Sequence, residues 1–126
     1  MRMEYARGKA AKRPPPATLA TFAGGWGGHT RGLSITSTGR GREDADDGCC
    51  TREYELTFQI LSVNGTLTRA TAFYRATSFK PYESGMRLHV GDVGKLVLKN
   101  GIVTNTLTGD FFCSGPAWGA TGACGA

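Results

Sequence analysis

Two Asn-Gly dipeptides, Asn64-Gly65 and Asn100-Gly101, each lie between stretches rich in Val, Ile, Leu, Thr, Phe and Tyr. Asn and Gly tolerate left-handed backbone, which a type I′ turn requires at both of its central residues. An Asn-Gly pair between alternating flanks therefore predicts a β-hairpin. Two such corners in 126 residues predict a strand meander, and a meander of this length closes as a small barrel or sandwich. The expected fold is all-β: one small antiparallel barrel or sandwich of six to eight strands. The length suits a single domain with its own core.

The flanks of the first corner specify the inward face. Before it, Tyr54, Leu56, Phe58 and Ile60 alternate with Glu55, Thr57 and Gln59. After it, Thr68, Ala70, Ala72, Tyr74 and Ala76 share one face; Leu67, Arg69, Thr71, Phe73 and Arg75 share the other. A two-residue turn at Asn64-Gly65 would pair Ile60 with Arg69 and Tyr54 with Arg75, burying two guanidiniums. A three-residue loop, Val63-Asn64-Gly65 with Gly65 in a bulge, pairs Ile60 with Thr68, Phe58 with Ala70 and Leu56 with Ala72. Burying an unpaired charge costs several kcal/mol, whereas choosing between turn types costs about 1 kcal/mol or less. The bulged loop is therefore expected, with small residues facing large aromatics. At the second corner a two-residue turn places Leu96, Leu98, Val103 and Leu107 on one face.

Elsewhere the pattern is weaker. Thr18 to Phe22 reads as a short strand or one helical turn. Gly24-Gly25-Trp26-Gly27-Gly28 reads as a tight lead-in to a first strand, His29 to Thr36, with Leu33 and Ile35 on one face. Thr38 to Gly41 turns the chain and Arg42 to Ala45 returns. Lys80 to Asp92 is a loop with a short strand at Arg87 to Val90. No helical period is evident in the domain.

The net charge of +5 is unevenly placed. Residues 1–16 hold five basic groups and one acidic, a balance of +4; the remaining ten basic and nine acidic groups leave +1. The basic excess thus describes a tail. Residues 1–17 are expected to form a disordered, Pro-rich basic tail, and residues 18–126 the barrel domain. Such a tail is the only feature suited to membrane contact. Basic residues of the domain do not interleave with aromatics in a stacking motif, which argues against nucleic acid as a partner. No apolar run is long enough to cross a bilayer as a helix, and no signal-peptide core follows the early basic residues.

The cysteines are Cys49, Cys50, Cys113 and Cys124. Bonding neighbours strains the intervening peptide, so the expected pairings are Cys49–Cys113 with Cys50–Cys124, or the reverse. Either closes loops of more than 60 residues. The even count favours a disulfide framework and an oxidising compartment over free thiols, hence a secreted or cell-envelope location. Neither half has zinc-knuckle spacing, and no cofactor or metal is expected.

Catalytic signatures are sparse. His29 and His89 have no metalloprotease spacing, and no serine lies in a nucleophile elbow. Glu43, Asp44, Asp46 and Asp47 read as a solvated acidic loop, with Ala45 where a Ca²⁺ ligand would be required. No catalytic residue is assigned, and a non-enzymatic role is expected.

Gly24-Gly25-Trp26 resembles the G-x-W start of lipocalin-type barrels, which implies a Trp closing one end of a barrel. The segment from Trp26 to Leu33, with Gly39 to Glu43 and Gly48-Cys49-Cys50, resembles small secreted all-β proteins of actinobacteria whose activity is unassigned. That resemblance spans residues 22–113 and implies an exported, disulfide-bearing domain. The leading expectation is an extracytoplasmic barrel that binds a small apolar ligand at its mouth or interior, lined by Trp26, Tyr54, Phe58 and Tyr74. The alternatives are a protein–protein or inhibitor module acting through loops 44–52 and 80–92, and an enzyme.

Overall fold

Eight antiparallel strands follow one another around a closed barrel in sequence order. They are β1 (Gly24–Gly28), β2 (Arg31–Ile35), β3 (Arg40–Asp46), β4 (Arg52–Gly65), β5 (Arg69–Lys80), β6 (Val93–Lys99), β7 (Ile102–Asn105) and β8 (Phe111–Cys113). A short helix, α1 (Leu19–Phe22), precedes them and a second, α2 (Gly115–Thr121), follows. The structure is a computed structural model and describes residues 14–125. Most of the expected basic tail, residues 1–13, lies outside the described residues. Its last part already joins the barrel: Pro16 bridges Thr66, and the Ala17 amide donates to the Gly65 carbonyl at 2.9 Å.

The interior is the face read from the alternation. Tyr54, Leu56, Phe58 and Ile60 are buried on β4, and Ala70, Ala72, Tyr74 and Ala76 on β5. Leu33, Ile35, Leu96, Leu98, Val103 and Phe112 complete the apolar core. Phe58 and Tyr74 lie ring against ring, with centroids 4.6 Å apart. Gly41 on β3 makes room for Phe58, since a Cβ there would sit 2.0 Å from the Phe58 ring.

The first hairpin differs from the expectation. Asn64 and Gly65 are the last residues of β4, paired with Thr71 and Ala70, and the chain reverses at Leu67-Thr68. Phe58 pairs with Ala76 and Ile60 with Tyr74. The register change assigned to a bulged loop occurs inside the strands instead, between Ile60 and Ser62 and again beside Thr57/Phe58. Leu61, skipped by the ladder, is pushed out to 51% exposure. Bulging in mid-strand keeps the guanidiniums of Arg69 and Arg75 outside, as the loop was meant to do, and lets the ladder run three pairs further. The second corner is as expected: Asn100 (φ 51°) and Gly101 (φ 84°) turn between Lys99 and Ile102.

Three other expectations are corrected. Gly24–Gly28 is not a lead-in but strand β1, paired along its whole length with β2. Its glycines admit large neighbours: a Cβ on Gly27 would meet the Trp118 ring at 2.6 Å. Arg87 to Val90 forms no strand; the 81–92 loop is held by buried Leu88 and by bonds joining Ala76 to Gly91 and Asp92. The C-terminal segment contains the helix α2, whose first turn is capped by the Ser114 hydroxyl accepting from the Ala117 amide. Ser114, Pro116 and the left-handed Gly122 are start and stop signals that the run of small residues concealed.

The cysteine pairing is also corrected. Cys113 bonds Cys124, and Cys49 bonds its neighbour Cys50. β8 turns outward into α2 after Cys113, and this brings Cys124 back beside β1, where its carbonyl accepts from the His29 amide at 2.8 Å. The C-terminus is thereby committed to the β1–β8 seam and never reaches the loop of Cys49 and Cys50. That seam holds a single registered pair, Gly27 with Cys113, and α2 packs across it.

Candidate functional site

In an up-and-down barrel, alternate connections gather at one end. Here the β1–β2, β3–β4, β5–β6 and β7–β8 connections share an end, the mouth. The β1–β2, β5–β6 and β7–β8 connections and the facing ends of β3 and β4 border a cavity of about 310 Å³, whose lining includes Thr30, Arg31, Asp46, Tyr54, Met86 and Asp110.

Beneath it lies a residue expected in a solvated loop. Glu43 is not loop but mid-β3, registered between Leu33 and Leu56, both inward-facing, and it is fully buried. Antiparallel partners point the same way, so the register forces the carboxyl into the barrel. Arg42 and Asp44, its neighbours, face out and pair at 3.4 Å. The signal was available in the alternation Gly41, Glu43, Ala45, but the run of acids through Asp47 obscured it. Asp47 does behave as loop: its carboxylate accepts from the amides of Cys49, Cys50 and Thr51, which hold it below the usual aspartate range.

Glu43 has a full set of partners. The Asn105 amide donates to Oε1 at 2.8 Å, and the Thr108 hydroxyl donates to Oε2 at 2.6 Å. The Tyr54 hydroxyl lies 2.6 Å from Oε2 and 2.5 Å from Oδ2 of Asp110. Below, the Tyr74 hydroxyl donates to Asn105 Oδ1 at 2.6 Å, tying the network to the aromatic core. Burial drives the Glu43 carboxyl above the ordinary range, helped by the nearby Asp110 and opposed by its hydrogen bonds. Burial also raises both phenols, so Tyr54 and Tyr74 stay protonated.

The four aromatics expected to line one ligand site are dispersed. Tyr54 alone lines the mouth cavity. Phe58 and Tyr74 fill the interior against each other. Trp26 packs on the core, its indole donating to the Phe22 carbonyl at 2.9 Å, and borders a separate cavity with Leu33, Arg42 and Asp44. His29 and His89 are exposed, and neither lines the mouth. Among the described residues no three His, Cys, Asp or Glu side chains converge as a metal-binding set, and no helix is long and apolar enough to cross a membrane. No family model matches the chain, nor does any curated protein or solved structure.

Proposed function

We propose that this chain is an extracytoplasmic, non-enzymatic binding barrel whose site is the mouth cavity over Tyr54. The observation that carries the reading is the cavity itself, walled by three connections and the ends of β3 and β4 and floored by a buried hydrogen-bond network. Its walls mix two characters. Ala45, Met86 and the Tyr54 ring offer apolar area; Ser84, Thr108 and Asp110 offer polar anchors. Such a site suits a small amphipathic molecule with its apolar body on Met86 and its polar end toward Asp110. The extracytoplasmic location is supported by the two cysteine pairs, since disulfides persist in oxidising compartments.

The test is a fragment titration followed by amide NMR. Binding at the mouth shifts the amides of Thr30, Ser84, Met86 and Thr108. Shifts confined to the outer groove around Arg40, Thr57 and Thr77 overturn the reading.

A second reading, a protein-binding module, is favoured by exposed apolar groups on the 80–92 loop. Val90 is 66% exposed and Tyr82 46% exposed. Native extraction with mass analysis separates the two: a retained small molecule supports the first, a retained protein lost on Tyr82→Ser and Val90→Ser supports the second.

A further inference from the structure

The hydrogen-bond inventory of Glu43, Tyr54 and Asp110 does not close without an additional proton. A phenol carries one hydrogen, and the Tyr54 hydroxyl sits within 2.6 Å of carboxyl oxygens on both sides. If both carboxyls were ionised, one of these contacts would set two oxygen lone pairs against each other inside the barrel. The three groups therefore hold one proton beyond the phenol's own. Fully buried Glu43 is its seat, because its carboxyl lies wholly inside the barrel, whereas Asp110 is half-buried and reaches the cavity. The proton on Glu43 points to Tyr54, and the Tyr54 proton points to Asp110 at the cavity wall.

We infer that the mouth receives a weak organic base, such as an imidazole or pyridine nitrogen, in its neutral form and holds it as the cation, the proton coming from this relay. The inference rests on the mouth reading above and names the ligand chemistry of that site. In the transfer, the Glu43 O–H bond breaks as Tyr54 takes its proton. Tyr54 passes its own proton to Asp110, the new Asp110 O–H bond breaks as the base forms its N–H bond, and the Asp110 carboxylate then accepts from that N–H in place of the phenol, whose hydrogen now faces Glu43. The ligand gains one positive charge, the trio one negative, and nothing is oxidised or reduced.

The surroundings agree. The ionisable groups facing Glu43 are Tyr54 from β4, Tyr74 from β5 and Asp110 from the β7–β8 loop; β2, β4 and β7 otherwise present Leu33, Leu56 and Asn105. No basic side chain is among them, so a second ionised carboxyl is uncompensated until a cation arrives. At the rim, Asp46 and Glu53 favour that cation. Among the described residues the guanidinium there is that of Arg31, which donates to the carbonyls of Phe111 and His29 and lies over the Phe111 ring at 4.6 Å. Burial, which raises the Glu43 pKa, acts in the same direction.

Three probes of one shape test this: benzimidazole, a weak base; indole, which has no basic nitrogen; and 1,3-dimethylbenzimidazolium, a fixed cation that accepts no proton. Affinities are read by calorimetry and the carboxyl carbons of Glu43 and Asp110 by ¹³C NMR on the full chain. In the free protein at neutral pH the Glu43 carbon should report a protonated acid and turn to carboxylate when benzimidazole binds. Benzimidazole should bind at least about tenfold more tightly than either other probe, the scale of one charge-assisted hydrogen bond. Tyr54→Phe keeps the ring and cuts the relay, so benzimidazole should fall to the level of indole, with indole unchanged. Glu43→Gln keeps the shape of the interior and removes the proton; it should act likewise and guards against a folding defect in the first variant. An ionised Glu43 in the free protein overturns the inference. Equal binding of indole also overturns it, and if the mouth amides still shift, the binding-barrel reading stands. A fixed cation that binds as well as benzimidazole replaces proton transfer by simple charge attraction. Silence of the mouth amides with all three probes defeats both readings.

Discussion

Phe58 and Tyr54 lie four residues apart on the same inward face of β4, yet their surroundings differ in kind. Around Phe58 the barrel is close-packed hydrocarbon, with Tyr74 against it, Gly41 giving way to it, and Leu96, Val103 and Phe112 sealed from solvent. Around Tyr54 the space is polar, filled by a carboxyl, a carboxamide, a hydroxyl and a second carboxylate in mutual contact. In both regions no buried side-chain polar atom among the described residues lacks a partner. The difference lies in what a substitution removes. In the lower interior it removes packing, which depends on volume. At the mouth it removes a hydrogen-bond partner, whose loss falls on the groups left behind. A pure stabilisation device would have used the cheaper hydrocarbon solution throughout.

The sharpest contrast comes from truncating each region in turn. Phe58→Ala opens a cavity in the packed half and should destabilise by about 3–5 kcal/mol in urea denaturation, with the mouth amides barely displaced. Glu43→Ala strands the Asn105 amide and the Tyr54 and Thr108 hydroxyls and should destabilise by about 1–3 kcal/mol, with large shifts at Thr108 and Asp110. If the second loss equals the first, the two halves are one packing unit and the distinction fails. Tyr74→Phe probes the link between them. It deletes only the hydroxyl that anchors Asn105, and a loss of about 0.5–1.5 kcal/mol is expected, together with chemical-shift changes that reach Glu43. Changes confined to Asn105 would show that the link is not transmitted.

The sequence disclosed these two regions unequally. The packed half was legible because period-two alternation in Tyr54 to Ile60 and Ala70 to Ala76 admits one inward face, and the small-against-large pattern follows from it. The exact pairing was not, because Asn64-Gly65 satisfies a strand end as well as a turn, and a bulge at Leu61 leaves no mark in composition. The mouth was nearly illegible. The alternation points to the Tyr54 ring, whereas the Tyr54 hydroxyl does the joining. Glu43 stood in a run of acids that looks solvated when read along the chain; only registration beside Leu33 and Leu56 turns it inward. Asn105, Thr108 and Asp110 are brought to it over more than 60 residues of chain, a closure that no local pattern encodes. The cysteines failed for a related reason. Excluding a bond between neighbours left only long-range pairings, but the α2 return that brings Cys124 to Cys113 lies in a segment that looked featureless.

The pH dependence of stability most directly sharpens the comparison, because the packed half has no counterpart to it. An acid whose pKa is raised on folding binds its proton more tightly in the native state than in the unfolded one. Its contribution to stability is complete below the unfolded value, 4.5 for this carboxyl, and is lost as pH rises through the native value. The stability of the wild type relative to Glu43→Gln should therefore decline as pH rises above 4.5, because Gln has no proton to lose. The reference matters: subtracting the Gln variant cancels whatever the two proteins share. Phe58→Ala, measured the same way, should run parallel to the wild type at every pH, since it removes no titrating group. A flat difference between wild type and Glu43→Gln would mean that the carboxyl titrates in the barrel as it does in the unfolded chain. The mouth would then be only a polar variant of the packed interior, without a proton of its own to give.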